Sequence, residues 1–222
     1  MSLQAIEHET AIDPTWSVIW LHGLGADGSD FAPVVPQLVQ RGWPALRFVF
    51  PHAPVRAVTI NNGVQMRAWY DIVDTDLANR ADETGVNESV ALVEALLAAE
   101  VARGVPRGQI FLAGFSQGGA VTLAAGLRQR EPLAGLIALS TYLPAANSAL
   151  ASLVPEATAQ PVFMAHGRQD PVVPYTAGER SAAALRSMGF AVDWRAYAMP
   201  HTVCADEVDD LRRWMSKRFE AA

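Results

Sequence analysis

The sequence predicts an α/β fold, with a mostly parallel central sheet that is covered by helices on both faces. Short apolar runs typical of strands alternate along the chain with longer segments of helical periodicity. The strand candidates are apolar at nearly every position, as expected where both faces of a parallel sheet are covered. The chain has 222 residues, half of them apolar, and no repeat or linker divides it. We therefore expect a single domain over residues 1–222.

The predicted strands are rich in β-branched and aromatic residues and end at polar residues, glycine or proline. They are Trp16–Leu21 and residues 46–50, 109–113, 133–139, 161–165 and 191–197. The predicted helices lie between and after them, at residues 31–41, 84–103, 116–130, 179–187 and 206–219. Two further stretches, 53–82 and 141–159, show neither the periodicity of a strand nor that of a helix. Long irregular segments inside a compact domain usually carry function.

Composition limits the classes of protein to consider. Seventeen basic against 23 acidic residues give a net charge of −6, which argues against binding to nucleic acid or to an anionic membrane. Cys204 is the only cysteine, so an intrachain disulfide is excluded and a reducing compartment is the simple inference. The first residues have neither a basic nor a long apolar region, and no apolar run is long enough to span a bilayer. We expect a cytoplasmic protein without stable membrane insertion.

Residues 114–118 read Gly-Phe-Ser-Gln-Gly and match the pattern G-x-S-x-G. The motif directly follows the predicted strand 109–113 and opens a predicted helix, which is the setting of a nucleophile elbow. Such a turn would strain Ser116, and Gly114 and Gly118 would remove side chains that collide with the neighbouring strand and helix. The helix N-terminus would favour a developing oxyanion. The alternative is that Ser116 is a plain N-cap and that the glycines serve packing alone.

A serine hydroxyl needs a base, and where a nucleophile elbow occurs the acid and then the histidine follow the serine along the chain. This order leaves His166 and His201 among the five histidines. Asp170 lies in a loop after one predicted strand, and His201 follows the last one. We therefore predict Ser116 as nucleophile, Asp170 as acid and His201 as base. His166 is expected to be a buried residue whose ring ties the Asp170 loop to the backbone.

The first predicted strand ends at the glycine-rich run His22-Gly23-Leu24-Gly25. Its glycines would let the backbone N–H of Leu24 turn toward the site, and the N–H of Gln117 would be the second oxyanion donor. The run lacks the Lys-Ser/Thr ending of a phosphate-binding loop. No His/Cys cluster has metal-ligand spacing. We expect neither a cofactor nor a metal.

Large apolar side chains in the irregular segments are candidates for the wall of a substrate pocket, because exposure to solvent would be unfavourable. The alternative is that they pack on the scaffold. A mostly apolar pocket would take neutral esters, with each buried methylene contributing about 0.8 kcal/mol at most. The substrate-binding candidates are Val64, Met66, Trp69, Leu143, Val172 and Val173, with Tyr142 beside them.

Six segments resemble the bacterial carboxylesterases and acyl-protein thioesterases of the α/β-hydrolase superfamily. They are LHGLGADGSDF, FVFPHAPVRAVTINNG, AWYDI, IFLAGFSQGGAVTL, HGRQDPVVP and MPHTV, in family order over residues 20–203. The resemblance implies an α/β-hydrolase fold without a large cap domain. It also implies Ser116, Asp170 and His201 as a triad, with Leu24 and Gln117 as backbone donors. Ala57 departs from the family pattern, in which proline is expected.

The leading hypothesis is a serine carboxylesterase that hydrolyses short-to-medium-chain acyl esters through an acyl-enzyme. An acyl-protein thioesterase or lysophospholipase is the alternative, and the sequence does not separate the two because only the leaving group differs. A third hypothesis is a catalytically silent binding module. It is disfavoured because all three triad positions are filled. The expected partner is a small-molecule acyl ester and not a nucleic acid. Many relatives form dimers, and the sequence leaves a homodimer open.

Overall fold

The computed structural model describes residues 3–74, 82–145 and 149–220. Seven of its strands form one sheet in the order β1-β3-β2-β6-β7-β8-β9. All neighbouring pairs of this sheet are parallel except β1 with β3, so the predicted mostly parallel sheet is confirmed. The strands of the sheet are β1 (Ala5–Glu9), β2 (Trp16–Leu21), β3 (Leu46–Pro51), β6 (Ile110–Phe115), β7 (Gly135–Leu139), β8 (Val162–Gly167) and β9 (Val192–Tyr197). Between β3 and β6 the chain forms a separate antiparallel hairpin of β4 (Val55–Val58) and β5 (Val64–Arg67).

Helices cover both faces of the sheet, as predicted. The described helices are α1 (Val35–Leu38), α2 (Glu83–Ala102), α3 (Gln117–Gly126), α4 (Tyr175–Ser187) and α5 (Ala205–Phe219). Buried residues of α2, α3 and α4 join one apolar cluster, and those of α1 and α5 join a second. No helix within the described ranges combines the length and the apolarity needed to cross a bilayer.

The apolar strands are explained by these two clusters. In β2, Ile19 and Leu21 belong to the cluster under α2 and α3, while Val18 and Trp20 belong to the cluster under α5. Successive side chains of a strand point to opposite faces, so a strand covered on both sides is apolar throughout.

Two elements of the structure were not predicted. β1 carries three exposed residues, and it is held at the sheet edge by ion pairs from Arg47 to Glu7 (2.5 Å) and Glu9 (2.9 Å). The hairpin of β4 and β5 lies within the stretch 53–82, which the sequence left irregular. The predicted helix 31–41 is also shorter than expected, because a 3₁₀ turn at Ala32–Val34 leads into the single turn of α1.

The strand order places a crevice beside Ser116. From β2 the chain first runs to β3 on one side of β2, and it later returns to β6 on the other side. Ligands of open α/β sheets bind at such reversals, at the carboxyl ends of the strands. Leu21 of β2 lies opposite Gly114 of β6, so the ends of both strands reach the crevice together.

Candidate active site

Ser116 occupies the sharp turn between β6 and α3. Its φ of 54° and ψ of −120° lie outside the regions that non-glycine residues ordinarily adopt. A Cβ at Gly114 would lie 2.4 Å from the backbone of Gly118, and one at Gly118 would lie 2.4 Å from the carbonyl oxygen of Leu21. The structure therefore shows both the strain and the close approaches that the sequence motif predicts. The carbonyl of Ser116 accepts a hydrogen bond of 2.6 Å from the hydroxyl of Thr141, which fixes the turn.

Asp170 and His201 meet at the ends of β8 and β9. The Oδ2 atom of Asp170 lies 2.6 Å from Nδ1 of His201. The other carboxylate oxygen accepts backbone N–H bonds from Val172 (2.8 Å) and Val173 (2.9 Å). The Asp170 side chain is fully buried, and that of His201 is 16% exposed. The carboxylate thus has one oxygen held by its own loop and the other directed at the imidazole, which leaves Nε2 of His201 available for proton transfer.

His166 supports the same loop from below. Its Nε2 atom lies 2.9 Å from the carbonyl oxygen of Val173 and 3.4 Å from Oδ2 of Asp170. Both neighbours are acceptors, so this nitrogen carries the proton. Burial lowers the pKa of His166, which keeps the ring neutral. A Cβ at Gly178 of α4 would lie 2.4 Å from Nδ1, so only glycine leaves room for the ring there.

Phe115, the residue before Ser116, contacts His201. The rings of Phe115 and His201 lie 4.7 Å apart, centroid to centroid. Within the described residues the Ser116 hydroxyl forms no hydrogen bond to His201. Such contacts are often long without substrate and tighten when it binds. The structure therefore brings Asp170 and His201 into direct contact and places Ser116 beside them.

The glycine-rich run after β2 lies against the turn that carries Ser116. A Cβ at Gly23 would lie 3.5 Å from Cβ of Ser116. His22 holds the start of this loop, because its Nδ1 donates to the carbonyl of Gly23 (2.7 Å) and its Nε2 accepts from the N–H of Ala53 (3.0 Å). Burial lowers the pKa of His22, which favours the neutral ring that this pairing requires.

A cavity of about 250 Å³ opens beside Ser116. Its outer edge is exposed, with Val172 57% and Ile60 40% accessible, whereas Tyr142 at its floor is 2% accessible. The hydroxyl of Tyr142 lies 2.6 Å from that of Tyr70, and burial raises the pKa of Tyr142 to about 12. The lining residues are Leu24, Ile60, Asn61, Ile72, Ser116, Gln117, Tyr142, Val172 and Val173.

The cavity differs from the predicted substrate wall. Val172 and Val173 line it, but Val64, Met66, Trp69 and Leu143 do not. Trp69 and Leu143 are buried in the apolar cluster under α2 and α3, outside the cavity lining. Val64 is 55% exposed on the hairpin. Met66 is outside the lining, but its sulfur accepts a hydrogen bond of 3.3 Å from the amide of the lining residue Asn61.

Three lining residues were missed in the sequence. Ile60 and Asn61 belong to a 3₁₀ turn at Thr59–Asn61, just before the Asn62-Gly63 turn of the hairpin. Asn-Gly between short strands is a strong hairpin signal, and it could have placed this turn at the site. Ile72 had no comparable signal, because an apolar residue in an irregular segment can face either the core or a cavity.

Comparison with known proteins shows the family of this chain. Residues 5–219 match the Phospholipase/Carboxylesterase family. Acyl-protein thioesterase 1 of Cryptococcus neoformans is 36% identical over 223 aligned positions that cover 93% of each chain. Carboxylesterase SOBER1 of Arabidopsis thaliana is 32% identical over 208 positions, covering 92% of this chain and 91% of its own. The crystal structure of Arabidopsis SOBER1 superposes with a TM-score of 0.84 over 91% of this chain and 98% of that one, at 32% identity.

The chain therefore belongs to the Phospholipase/Carboxylesterase family and has the α/β-hydrolase fold. The predicted resemblance to carboxylesterases and acyl-protein thioesterases is confirmed, as is the predicted class, a hydrolase of carboxylic ester or thioester bonds.

Proposed function

We propose that this protein is a serine carboxylesterase in which Ser116 is the nucleophile, His201 the general base and Asp170 the residue that orients it. The observation that carries the proposal is the 2.6 Å contact between a fully buried carboxylate and His201, next to a serine in a strained turn. A buried acid bonded to Nδ1 sets the tautomer of the imidazole and stabilises the imidazolium that forms during the reaction.

The proposed reaction has two halves. His201 takes the proton of the Ser116 hydroxyl through Nε2 while the oxygen attacks the acyl carbon. The resulting oxyanion receives hydrogen bonds from the backbone N–H groups of Leu24 and Gln117. The intermediate collapses, the alcohol leaves with the proton from His201, and Ser116 keeps the acyl group. Water then attacks this ester with His201 again as base, which releases the acid and restores the serine.

The cavity supports a neutral acyl group of short to medium length. None of its lining residues is charged, and most of them are apolar. Such a lining stabilises a chain of methylenes and offers no partner for a second carboxylate.

A thioester substrate is the second candidate. The curated relative of 36% identity is named an acyl-protein thioesterase, whereas the Arabidopsis relative is named a carboxylesterase. Both substrates deliver the same acyl group to Ser116, so the leaving group decides between them. We place the protein in the cytoplasm as part of the proposal, because a lone cysteine fits a reducing compartment.

Replacement of the nucleophile tests the proposal. Ser116→Ala should lower kcat for p-nitrophenyl butyrate by about 10⁴-fold or more, since loss of the nucleophile in subtilisin, a documented case, costs about 10⁶-fold. Ser187→Ala is a matched control, because Ser187 lies on the exposed surface of α4. If folded Ser116→Ala kept more than a few per cent of the wild-type activity, Ser116 would not be the nucleophile. An oxygen ester and an S-acyl peptide with the same acyl chain, compared side by side, separate the two substrate classes.

A further inference from the structure

Residues 67–70, at the end of β5 and after it, contact both elements that would form the oxyanion hole. We infer that Trp69 is a positioning residue, which fixes the loop of Leu24 against the first turn of α3 without touching substrate. The inference rests on the proposed function, because backbone donors matter only if the reaction passes through a tetrahedral oxyanion. It also gives Trp69 a role that differs from the predicted one in the substrate wall.

The first link holds the loop after β2. The indole Nε1–H of Trp69 donates a hydrogen bond of 2.9 Å to the carbonyl of His22. Two residues earlier, the carbonyl of Arg67 accepts a bond of 2.9 Å from the N–H of Gly25. Leu24 is therefore tied on both of its sides to one short segment. Over residues 3–74, 82–145 and 149–220, the N–H of Leu24 has no partner of its own, so it stays available to a ligand.

The second link holds the nucleophile helix. The backbone N–H of Trp69 donates to Oε1 of Gln117 (2.9 Å), and Nε2 of Gln117 donates to the carbonyl of Tyr70 (2.8 Å). Because one contact needs an acceptor and the other a donor, the orientation of the amide is defined. Gln117 is the first residue of α3, so its own N–H has no partner within the helix. The side chain of Gln117 thus fixes the position of its own backbone donor.

The third link prevents the segment itself from moving. The hydroxyl of Ser89 in α2 donates to the carbonyl of Trp69. The indole is completely buried, and its ring centroid lies 5.4 Å from that of His22. Oxyanion donors are effective when the protein holds them in place before the charge develops. Trp69 joins the supports of both donors in one rigid network.

Trp69→Phe is the direct test, because it keeps a buried aromatic ring and removes the N–H that holds the His22 carbonyl. The rate constant of acylation, measured from the burst of p-nitrophenol, should fall about tenfold, less than the 10²–10³-fold cost of deleting a donor outright. The dissociation constant of the ester should change by less than about twofold. A trifluoromethyl ketone, which forms a tetrahedral adduct with the serine, should lose affinity by the same factor as acylation slows.

Trp20→Phe is a matched control. Trp20 is also buried, in β2, but its indole nitrogen has no hydrogen-bond partner in the described structure. The same chemical change there should leave acylation and ketone affinity unchanged. Gln117→Met is the second variant, since it retains the backbone N–H and removes both side-chain bonds. It should reproduce the loss seen for Trp69→Phe, and it decides the question by the same criteria if Trp69→Phe does not fold.

The inference is overturned if Trp69→Phe acylates at the wild-type rate, or if Trp20→Phe loses as much as Trp69→Phe. It is also overturned if the ester dissociation constant rises as much as acylation slows, which would place Trp69 at the substrate. A wild-type protein with neither a burst nor inhibition by the ketone would overturn the proposed function itself. Normal wild-type behaviour with an unaffected Trp69→Phe would overturn this inference alone.

Discussion

The two buried histidines outside the proposed triad each hold a loop of the candidate site. His22 fixes the loop that carries Leu24, and His166 fixes the loop that carries Asp170. In both rings burial lowers the pKa and favours the neutral imidazole. His22 then uses one nitrogen as donor and the other as acceptor to the backbone, whereas His166 donates to the backbone through Nε2 alone. His201 differs because its side chain is partly exposed and because it lies closer to the Asp170 carboxylate, at 2.6 Å against 3.4 Å for His166. The environment of each ring is therefore the reason why His201, and neither of the other two, is the proposed base.

At the scale of individual residues, the apolar lining of the cavity leads to a prediction about the acyl chain length that the protein prefers. Ile72→Ala should lower kcat/KM for p-nitrophenyl hexanoate about fourfold or more, since each methylene that loses its contact is worth about 0.8 kcal/mol. We expect the acetate ester to be too short to contact this side chain, so its rate should be nearly unchanged. Steady-state kinetics on the two esters give the ratio.

Leu143→Ala is the control for this prediction, because Leu143 is a buried neighbour of Tyr142 that lies outside the lining. It should destabilise the fold by about 2–5 kcal/mol, as core truncations do, and leave the ester ratio unchanged. A ratio that moves with Leu143→Ala and not with Ile72→Ala would show that the acyl chain lies elsewhere.

The sequence predicts the location of some site residues better than that of others, and the reason is physical. Ser116, Asp170 and His201 each follow a recognisable strand, so the parallel sheet alone brings them to one edge. Trp69 could not be placed in this way, because an indole in an irregular segment can face a cavity or the core. What decides its place is the carbonyl of His22, 47 residues away in the chain.

At the scale of elements, the N-terminus of α5 contains a buried acid that is unrelated to the proposed chemistry. Glu207 is completely buried, and neither carboxylate oxygen has a well-formed hydrogen bond in the described structure. Burial raises its pKa from 4.5 to about 8, and the nearby backbone of Cys204 offsets this only in part. The fold therefore holds Glu207 in its neutral form near pH 7.

Glu207→Gln should stabilise the protein in a pH-dependent way. With the folded pKa above the unfolded one, the contribution of Glu207 to stability is intact below about pH 4.5 and is lost as pH rises toward 8. The loss amounts to a few kcal/mol, at about 1.4 kcal/mol per pKa unit. Thermal unfolding of both proteins at pH 5 and pH 9 measures it, and the gain in Tm should be larger at pH 9. Asp206→Asn, an exposed acid in the same turn, should show no such gain. An equal Tm difference at both pH values would contradict the account.

The elements that were not predicted from the sequence are those whose residues are least buried. β1 and the hairpin strands are four or five residues long and carry exposed side chains, so apolar periodicity does not reveal them. β1 is placed by its antiparallel pairing with β3 and by ion pairs with Arg47, which are contacts between distant parts of the chain. Five of the six predicted strands, by contrast, are buried at nearly every position, and this burial on both faces makes them largely apolar. The sixth, β9, is only partly buried at the sheet edge and carries Asp193 and Arg195.

At the scale of the whole molecule, the strand order brings the candidate site residues together. Reversal at β2 places the Leu24 loop beside Ser116 at the end of β6. The three crossovers that follow lead through β7 to β8 and β9, whose ends bring Asp170 and His201 to the same edge. These contributions come from four strand ends across residues 22–201, and a single parallel sheet makes them neighbours. The topology, more than any one motif, explains why distant residues form one centre.

The identity of the nucleophile is the central claim, and covalent labelling tests it most directly. The protein is treated with a fluorophosphonate, digested and mapped by mass spectrometry, while ester hydrolysis is followed in the same sample. We predict one adduct, on Ser116, whose extent matches the loss of activity, and no adduct in Ser116→Ala. An active protein that carries the label on another residue, or that is inhibited without any label on Ser116, would contradict the account.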